Sequence, residues 1–222
     1  MRVVSVNVGL PREVEWKNMT VRTAIFKEPV SGAVAVERLN LAGDRQADLK
    51  VHGGADKAVY GYPSEHYSWW REQLPETPIS PGQFGENLTT AGLAENDLYI
   101  GDVVKAGSAV LRVTQPRMPC YKLALRFGRD DIIKRVLESR RSGFYFSVME
   151  EGEVEAGSAI EVLSRDPHRV TVTDIVDLYH NPVDNPGLLQ RALSTEALPL
   201  SWRDYLRKRA GAAQAKPAAH GE

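Results

Sequence analysis

The chain's single cysteine lies in Gln115-Pro116-Arg117-Met118-Pro119-Cys120-Tyr121-Lys122, between two cations and behind two prolines. Neighbouring cations favour the thiolate, the form of cysteine that attacks electrophiles and binds metals. Cys120 is therefore a candidate nucleophile or soft metal ligand. The competing reading is a small buried side chain without chemistry, a common fate of cysteines outside disulfides.

Two further stretches carry polar groups at close spacing. In His52-Gly53-Gly54-Ala55-Asp56-Lys57, glycines let the backbone approach a ligand, and His52 and Lys57 can donate to an anion beside a nest of backbone N–H groups. The plain alternative is a hairpin turn with a solvated lysine. The stretch is not the G-x-x-x-x-G-K-[ST] phosphate loop, which argues against nucleotide binding in that mode. Phe84-Gly85-Glu86-Asn87-Leu88-Thr89-Thr90 offers an amide, a carboxylate and two hydroxyls. These groups suit the hydrogen-bonding edge of a polar heterocycle, or equally a turn network that only shapes the loop. Asp44 and Asp48 read as solvated loop charges and His66 as a packed or surface histidine. His168, His180 and His220 form no metal-ligand spacing with the others.

The elements that must hold these residues are mostly strands. Ala109-Val110-Leu111-Arg112-Val113-Thr114 alternates as a half-buried strand that should end at Pro116, since proline cannot donate to a ladder. Strands are also expected over residues 2–7, 21–28, 33–39, 58–62, 98–104, 144–149 and 158–163. A helix should open at Pro63-Ser64-Glu65 and end before Pro75, and another should run from Asp130 or Asp131 to about Ser139, stopped by Gly143. Residues 79–93 look too glycine-rich and polar for a regular element. Eight or so short strands with two helices favour a closed or partly closed β-barrel over a parallel α/β sheet.

After Asp166-Pro167 the texture becomes helical, with segments near 172–179, 186–193 and 201–207 and a cap at Thr171 or Thr173. The expected organisation is a mainly β domain with helices over residues 1–165, a three-helix domain over 168–210 and a disordered tail over 211–222. From His168 to Ala210 six Lys/Arg face five Asp/Glu, too even a balance for a DNA-binding module.

A net charge of −1 over 222 residues, with 26% charged and 42% apolar residues, suits an ordinary soluble protein and gives no reason to expect nucleic acid or a membrane surface as partner. One cysteine excludes an intramolecular disulfide, a four-cysteine zinc site and a cysteine-ligated iron–sulfur cluster within the chain. No signal-peptide pattern and no run of about 20 apolar residues is present, so a cytoplasmic location is expected.

Taken together, Gly43-Asp44-x-Gln46-x-Asp48, His52-Gly53-Gly54-x-x-Lys57-Ala58-Val59-Tyr60, Phe84-Gly85-Glu86-Asn87-Leu88-Thr89 and Gln115-Pro116-Arg117-x-Pro119-Cys120-x-Lys122 resemble MOSC domains, in particular the YiiM-type branch. The resemblance spans residue 1 to about 210. It implies a MOSC β-barrel followed by a three-helix domain, and a molybdenum-cofactor enzyme that needs no pyridoxal phosphate. Cys120 then stands where the family's cysteine ligates molybdenum, as the catalytic residue and metal ligand. His52, Gly53, Lys57 and Arg117 become candidates for the phosphate and oxygens of the pterin. Gly85, Glu86, Asn87 and Thr89 become candidates for its hydrogen-bonding edge. The implied reaction is reduction of N-hydroxylated compounds such as 6-hydroxylaminopurine, with molybdenum alternating between Mo(IV) and Mo(VI).

Because a single cysteine cannot hold an iron–sulfur cluster, the expected electron donor is a separate flavoprotein reductase. The three-helix domain could dock that reductase or form a homodimer contact, and its sequence favours neither. Two rival functions remain beside this one: sulfur transfer through a Cys120 persulfide, and non-catalytic carriage of the cofactor.

Overall fold

The computed structural model describes residues 1–48 and 53–214. In chain order it contains β1 (Arg2–Val8), β2 (Arg12–Trp16), β3 (Met19–Thr23), β4 (Glu28–Val30), β5 (Val34–Val36), β6 (Val59–Pro63), α1 (His66–Gln73), β7 (Leu88–Ala91), β8 (Val103–Ala106), β9 (Ala109–Pro116), α2 (Tyr121–Phe127), α3 (Ile132–Ser139), β10 (Phe144–Glu150), β11 (Gly152–Val154), β12 (Ile160–Ser164), α4 (Val172–His180), α5 (Pro186–Ser194) and α6 (Leu200–Gln214).

The main sheet runs β12-β8-β9-β10-β6-β7-β1-β4, antiparallel throughout except for the β6–β7 pair, whose parallel crossover carries α1. The sheet closes on itself. The start of β1 pairs with the approach to β12, through a bridge between Arg2 and Ala159 and backbone bonds from Val3 N to Ser158 O (2.9 Å) and Ile160 N to Met1 O (2.9 Å). Closure removes the open edges that β1 and β12 would otherwise present. A β-barrel followed by a helical C-terminal unit is the fold class expected from the sequence.

Apolar side chains of β1, β6, β9 and β10 fill the barrel, and Phe144 and Phe146 meet edge to face at 5.3 Å. Gly61 on β6 is required beside them, because an added Cβ would come within 2.6 Å of the Phe144 ring. The same core continues into the helical unit through Val172, Ile175, Leu178, Leu188, Leu198 and Leu206. Helix α4 begins with a capping box in which the Thr171 side chain accepts from Asp174 N and Asp174 accepts from Thr171 N.

Several elements depart from the sequence reading. Residues 12–23 form the β2–β3 hairpin, whose two-residue turn places Lys17 and Asn18 at positive φ (52° and 62°). Such a turn usually carries Asn-Gly or Asp-Gly, so Lys17-Asn18 gave little signal. Strand β7 lies inside the stretch judged irregular, where Thr89 and Thr90 are both fully buried and the Thr89 hydroxyl is hydrogen-bonded to Asn7 and Glu86. Strand β9 includes Pro116, which pairs with Phe144, and Pro63 ends β6 instead of opening α1. Regular pairing of the 98–104 stretch begins only at Val103, and α3 ends on a left-handed Arg140 instead of at Gly143. Helix α6 continues through Gln214, so residues 211–214, expected in the tail, are helical; alanine, the best helix former, accounts for the extension.

The largest omission is α2. It starts directly after Cys120 and ends on Gly128 in the left-handed conformation. Leucine and alanine followed by a terminal glycine was an available signal. Among the described residues, no helix is long and apolar enough to cross a membrane.

Candidate active site

Cys120 occupies the N-cap position of α2, in extended backbone (φ −130°, ψ 173°), and its carbonyl accepts from Leu123 N at 2.8 Å. The stiff Pro116–Pro119 segment hands the chain from the end of β9 to this helix. Arg117 N donates to Gly143 O at 3.2 Å, which fixes that segment against the start of β10.

A register shift between Tyr145 and Phe146 makes room for an extra residue, Thr114, on β9. Thr114 Oγ1 donates to Asp56 O (2.7 Å), and Gln115 Nε2 donates to the same carbonyl (3.1 Å). The bulge thereby ties β9 to the 3₁₀ turn Ala55–Lys57, bringing Lys57 to the cysteine's side of the barrel.

A narrow cleft of about 80 Å³ opens there, lined by Lys57, Gly85, Asn87, Arg117 and Cys120 among others. Five cationic residues line it, Lys27, Arg45, Lys57, Arg117 and Lys122, against two carboxylates, Asp44 and Asp48. Asp44 is committed to Lys27, with which it forms a buried ion pair, and also accepts from Gly9 N (2.8 Å) and Asn87 Nδ2 (2.9 Å). Burial lowers the Lys27 pKa, opposed by the Asp44 charge and hydrogen bond. Burial likewise lowers that of Lys57, opposed by Asp56 and Asp48.

Arg117 is the unusual group. It is only 6% exposed, and its guanidinium lies 5.7 Å from the centre of the Tyr60 ring. Burial disfavours its charge, but its electrostatic neighbours, Tyr60 and Cys120 foremost, raise its pKa on balance, so it stays cationic. Lys122 is 8% exposed. Among the described residues, neither Arg117 nor Lys122 has a carboxylate partner. Buried charges are normally paired because desolvation is costly. Two buried cations with no carboxylate partner among the described residues, facing one cleft with a cysteine, form a site suited to an anionic ligand. An anionic phosphate and dithiolene group with a metal seeking one further sulfur fits this donor set.

Of the residues singled out in the sequence, Cys120, Arg117, Lys57, Gly85 and Asn87 converge on the cleft. Gly85 has φ +82°, and an added Cβ would press on Ile25 at 2.9 Å. Asn87, however, spends its side chain on the scaffold: Oδ1 accepts from Tyr60 N (3.1 Å) while Nδ2 donates to Asp44. Glu86 and Thr89 point into the protein and do not line the cleft. Both are fully buried. The Glu86 carboxylate accepts from Tyr67 Oη, Gly82 N (2.8 Å), Phe84 N (3.0 Å) and Thr89 Oγ1 (3.2 Å). Burial pushes its pKa up, against the hydrogen bonds that favour the anion. In this structure Glu86 and Thr89 are engaged in the network that shapes the turn.

Replacing Glu86 with Gln turns an amide N–H₂ toward one of these donors. The unfolding free energy, read by urea titration, is expected to fall by about 2 kcal/mol. A change below a few tenths would show that the carboxylate is not holding the loop.

Gly53 lies half-buried just ahead of the 3₁₀ turn, and His52 lies outside the described residues. Asp44, read as a solvated charge, is 3% exposed. His66 is partnered by Glu95, at 2.8 Å. Among the described residues, no group of three His, Cys, Asp or Glu side chains is placed to hold a metal by itself. Sequence reasoning missed Lys27 and Tyr145 altogether. Lys27 sits after a short strand with nothing local to mark it as buried, and Tyr145 is aimed by the bulge.

Comparison with known proteins agrees with this architecture. The MOSC domain family model matches residues 48–161, and the "YiiM-like, 3-alpha helix domain" model matches residues 170–209. YflK of Bacillus subtilis is 44% identical over 207 residues, 93% of each chain, and YiiM of Escherichia coli is 40% identical over 84% of each. A protein of Gibberella moniliformis named "Reductase" is 35% identical over 65% of this chain but only 26% of its own length. The crystal structure of YiiM from Geobacillus stearothermophilus superposes with a TM-score of 0.79 at 36% identity, covering 94% of this chain and 98% of that one. That of Escherichia coli YiiM gives 0.75 at 32% identity, covering 99% and 97%. The chain belongs to the MOSC family and is of the YiiM type, with a MOSC domain followed by a three-helix domain.

Proposed function

We propose that the chain is a molybdenum-cofactor-dependent reductase that removes the hydroxyl from N-hydroxylated compounds such as 6-hydroxylaminopurine. The observation that carries this reading is the cleft itself, where Cys120 shares one face with two buried cations that have no carboxylate partner among the described residues. Membership of a domain family named for molybdenum-cofactor sulfurase and a relative named as a reductase support it.

In this reading Cys120 Sγ ligates the metal, and Arg117, Lys122 and Lys57 hold the anionic groups of the pterin. The bound cofactor supplies two-electron redox chemistry. The balance is one hydroxylamine, two electrons and two protons giving one amine and one water, with the electrons drawn from a separate flavoprotein reductase. Lys57 Nζ lies on the cleft wall, and burial makes its ammonium a better proton donor than a solvated lysine. The same reading places the chain in the cytoplasm, with no nucleic acid or membrane among its partners.

The test is turnover of 6-hydroxylaminopurine to the amine by cofactor-loaded protein, with a chemically reduced viologen dye as donor. Adenine formed in proportion to dye oxidised is the expected result. Tight cofactor binding without turnover would replace this reading with that of a carrier. A one-sulfur mass increase on Cys120 in molybdenum-free protein would replace it with sulfur transfer.

A further inference from the structure

On the other side of Cys120 lies a second cavity, about 360 Å³, that shares Cys120, Lys57 and Tyr145 with the cationic cleft. Its character is different. The helical unit contributes Tyr179 from α4 and Trp202 and Tyr205 from α6 to its wall, facing Gln115 of β9. The Tyr179 and Tyr205 rings stack at 5.4 Å with planes 16° apart, and Trp202 stands edge-on to both, at 6.1 and 6.0 Å. Trp202 Nε1 donates to Gln115 Oε1 at 2.8 Å, which locks the indole to the barrel strand leading to Cys120. A rigid aromatic wall on one side of a sulfur, with a cationic cleft on the other, separates two kinds of ligand by chemistry.

We propose that the three-helix domain supplies the substrate chamber, in which Tyr179, Trp202 and Tyr205 bind a flat heteroaromatic ring and select it over small aliphatic hydroxylamines. This rests on the reductase reading for what happens at Cys120, but not for the binding itself. The cavity volume suits one bicyclic ring, since small-molecule sites are commonly 300–1,000 Å³. Aromatic stacking tolerates many heterocycles because each has a π face, while Lys57 on the wall shared with the cleft provides a polar contact.

The experiment titrates cofactor-free protein with adenine, following tryptophan fluorescence, in the wild type and in Tyr205→Leu and Tyr205→Phe. The expected result is saturable quenching, about tenfold weaker in Tyr205→Leu and near wild type in Tyr205→Phe, because the ring and not the hydroxyl is the contact. In loaded protein, Tyr205→Leu should raise KM for 6-hydroxylaminopurine by a similar factor, so that the preference in kcat/KM for it over N-methylhydroxylamine falls about tenfold. Absence of adenine binding in the wild type, or equal affinity in all three proteins, would overturn the proposal. Ring-dependent binding together with absent turnover of every hydroxylamine would retain the chamber and reject the reductase. Should Tyr205→Leu fail to fold, Tyr179→Leu makes the same comparison.

Discussion

Cys120→Ser protein, produced in cells that make the cofactor, is expected to emerge without molybdenum while the wild type carries close to one metal per chain. Removing even an outer-shell partner of a metal typically costs 10–100-fold in affinity, so loss of the protein's sulfur ligand should cost at least about 100-fold. The fold should not suffer. Cys120 is an N-cap residue whose side chain makes no capping bond, and its extended backbone suits serine, a preferred N-cap. Unfolding of the cofactor-free variant should therefore match the wild type or exceed it by up to about 1 kcal/mol. Elemental analysis and urea titration on the same preparations separate the outcomes. Equal molybdenum in both proteins would remove Cys120 from the metal; metal lost together with stability would make its role structural.

Arg117→Met should separate binding from folding in the opposite sense. Arg117 is buried with no carboxylate partner among the described residues. Desolvating a charge that has no carboxylate partner carries a cost in stability, and apolar replacements of buried ionic groups are often neutral or stabilising by 1–4 kcal/mol. We expect cofactor-free Arg117→Met to be at least as stable as the wild type, by about 1 kcal/mol, and to lose most of its molybdenum. Lys57→Ala should lower molybdenum more mildly, since Lys57 sits near the mouth of the site and is only half-buried. Wild-type metal content in both variants would end the assignment of these cations to the cofactor. A drop of several kcal/mol in Arg117→Met would show instead that its stacking on Tyr60 and its contacts beside Cys120 hold the barrel together.

Much of the site was legible in the order of residues. The Pro116–Cys120 segment combines types whose behaviour is local. Proline restricts the backbone, flanking cations favour a thiolate, and Gly85 adopts a conformation that few other residues tolerate. The alternation of β1, β9, β10 and β12 and the cap at Thr171 are local for the same reason, and the architecture follows from them. Helix α2 was legible too, in Leu123, Ala124, Leu125 and Gly128.

The chemical roles in the Phe84–Thr89 stretch were not legible. Nothing in the order Gly-Glu-Asn-Leu-Thr tells whether a carboxylate faces a ligand or Tyr67, a residue 19 positions away that reaches it from α1. The same is true of Asp44, whose partners Gly9, Lys27 and Asn87 come from three other parts of the chain.

By itself, then, the sequence determined the strand and turn conformations, the helical unit and the one sulfur, because each depends on residues within a few positions of one another. Tertiary structure alone decided which polar groups were consumed inside the barrel wall, that Arg117 and Lys122 are buried with no carboxylate partner among the described residues, and that three aromatic side chains from α4 and α6 stand beside Cys120. Those outcomes depend on strand register and on packing between distant segments, where a shift of one residue turns a side chain from one face to the other.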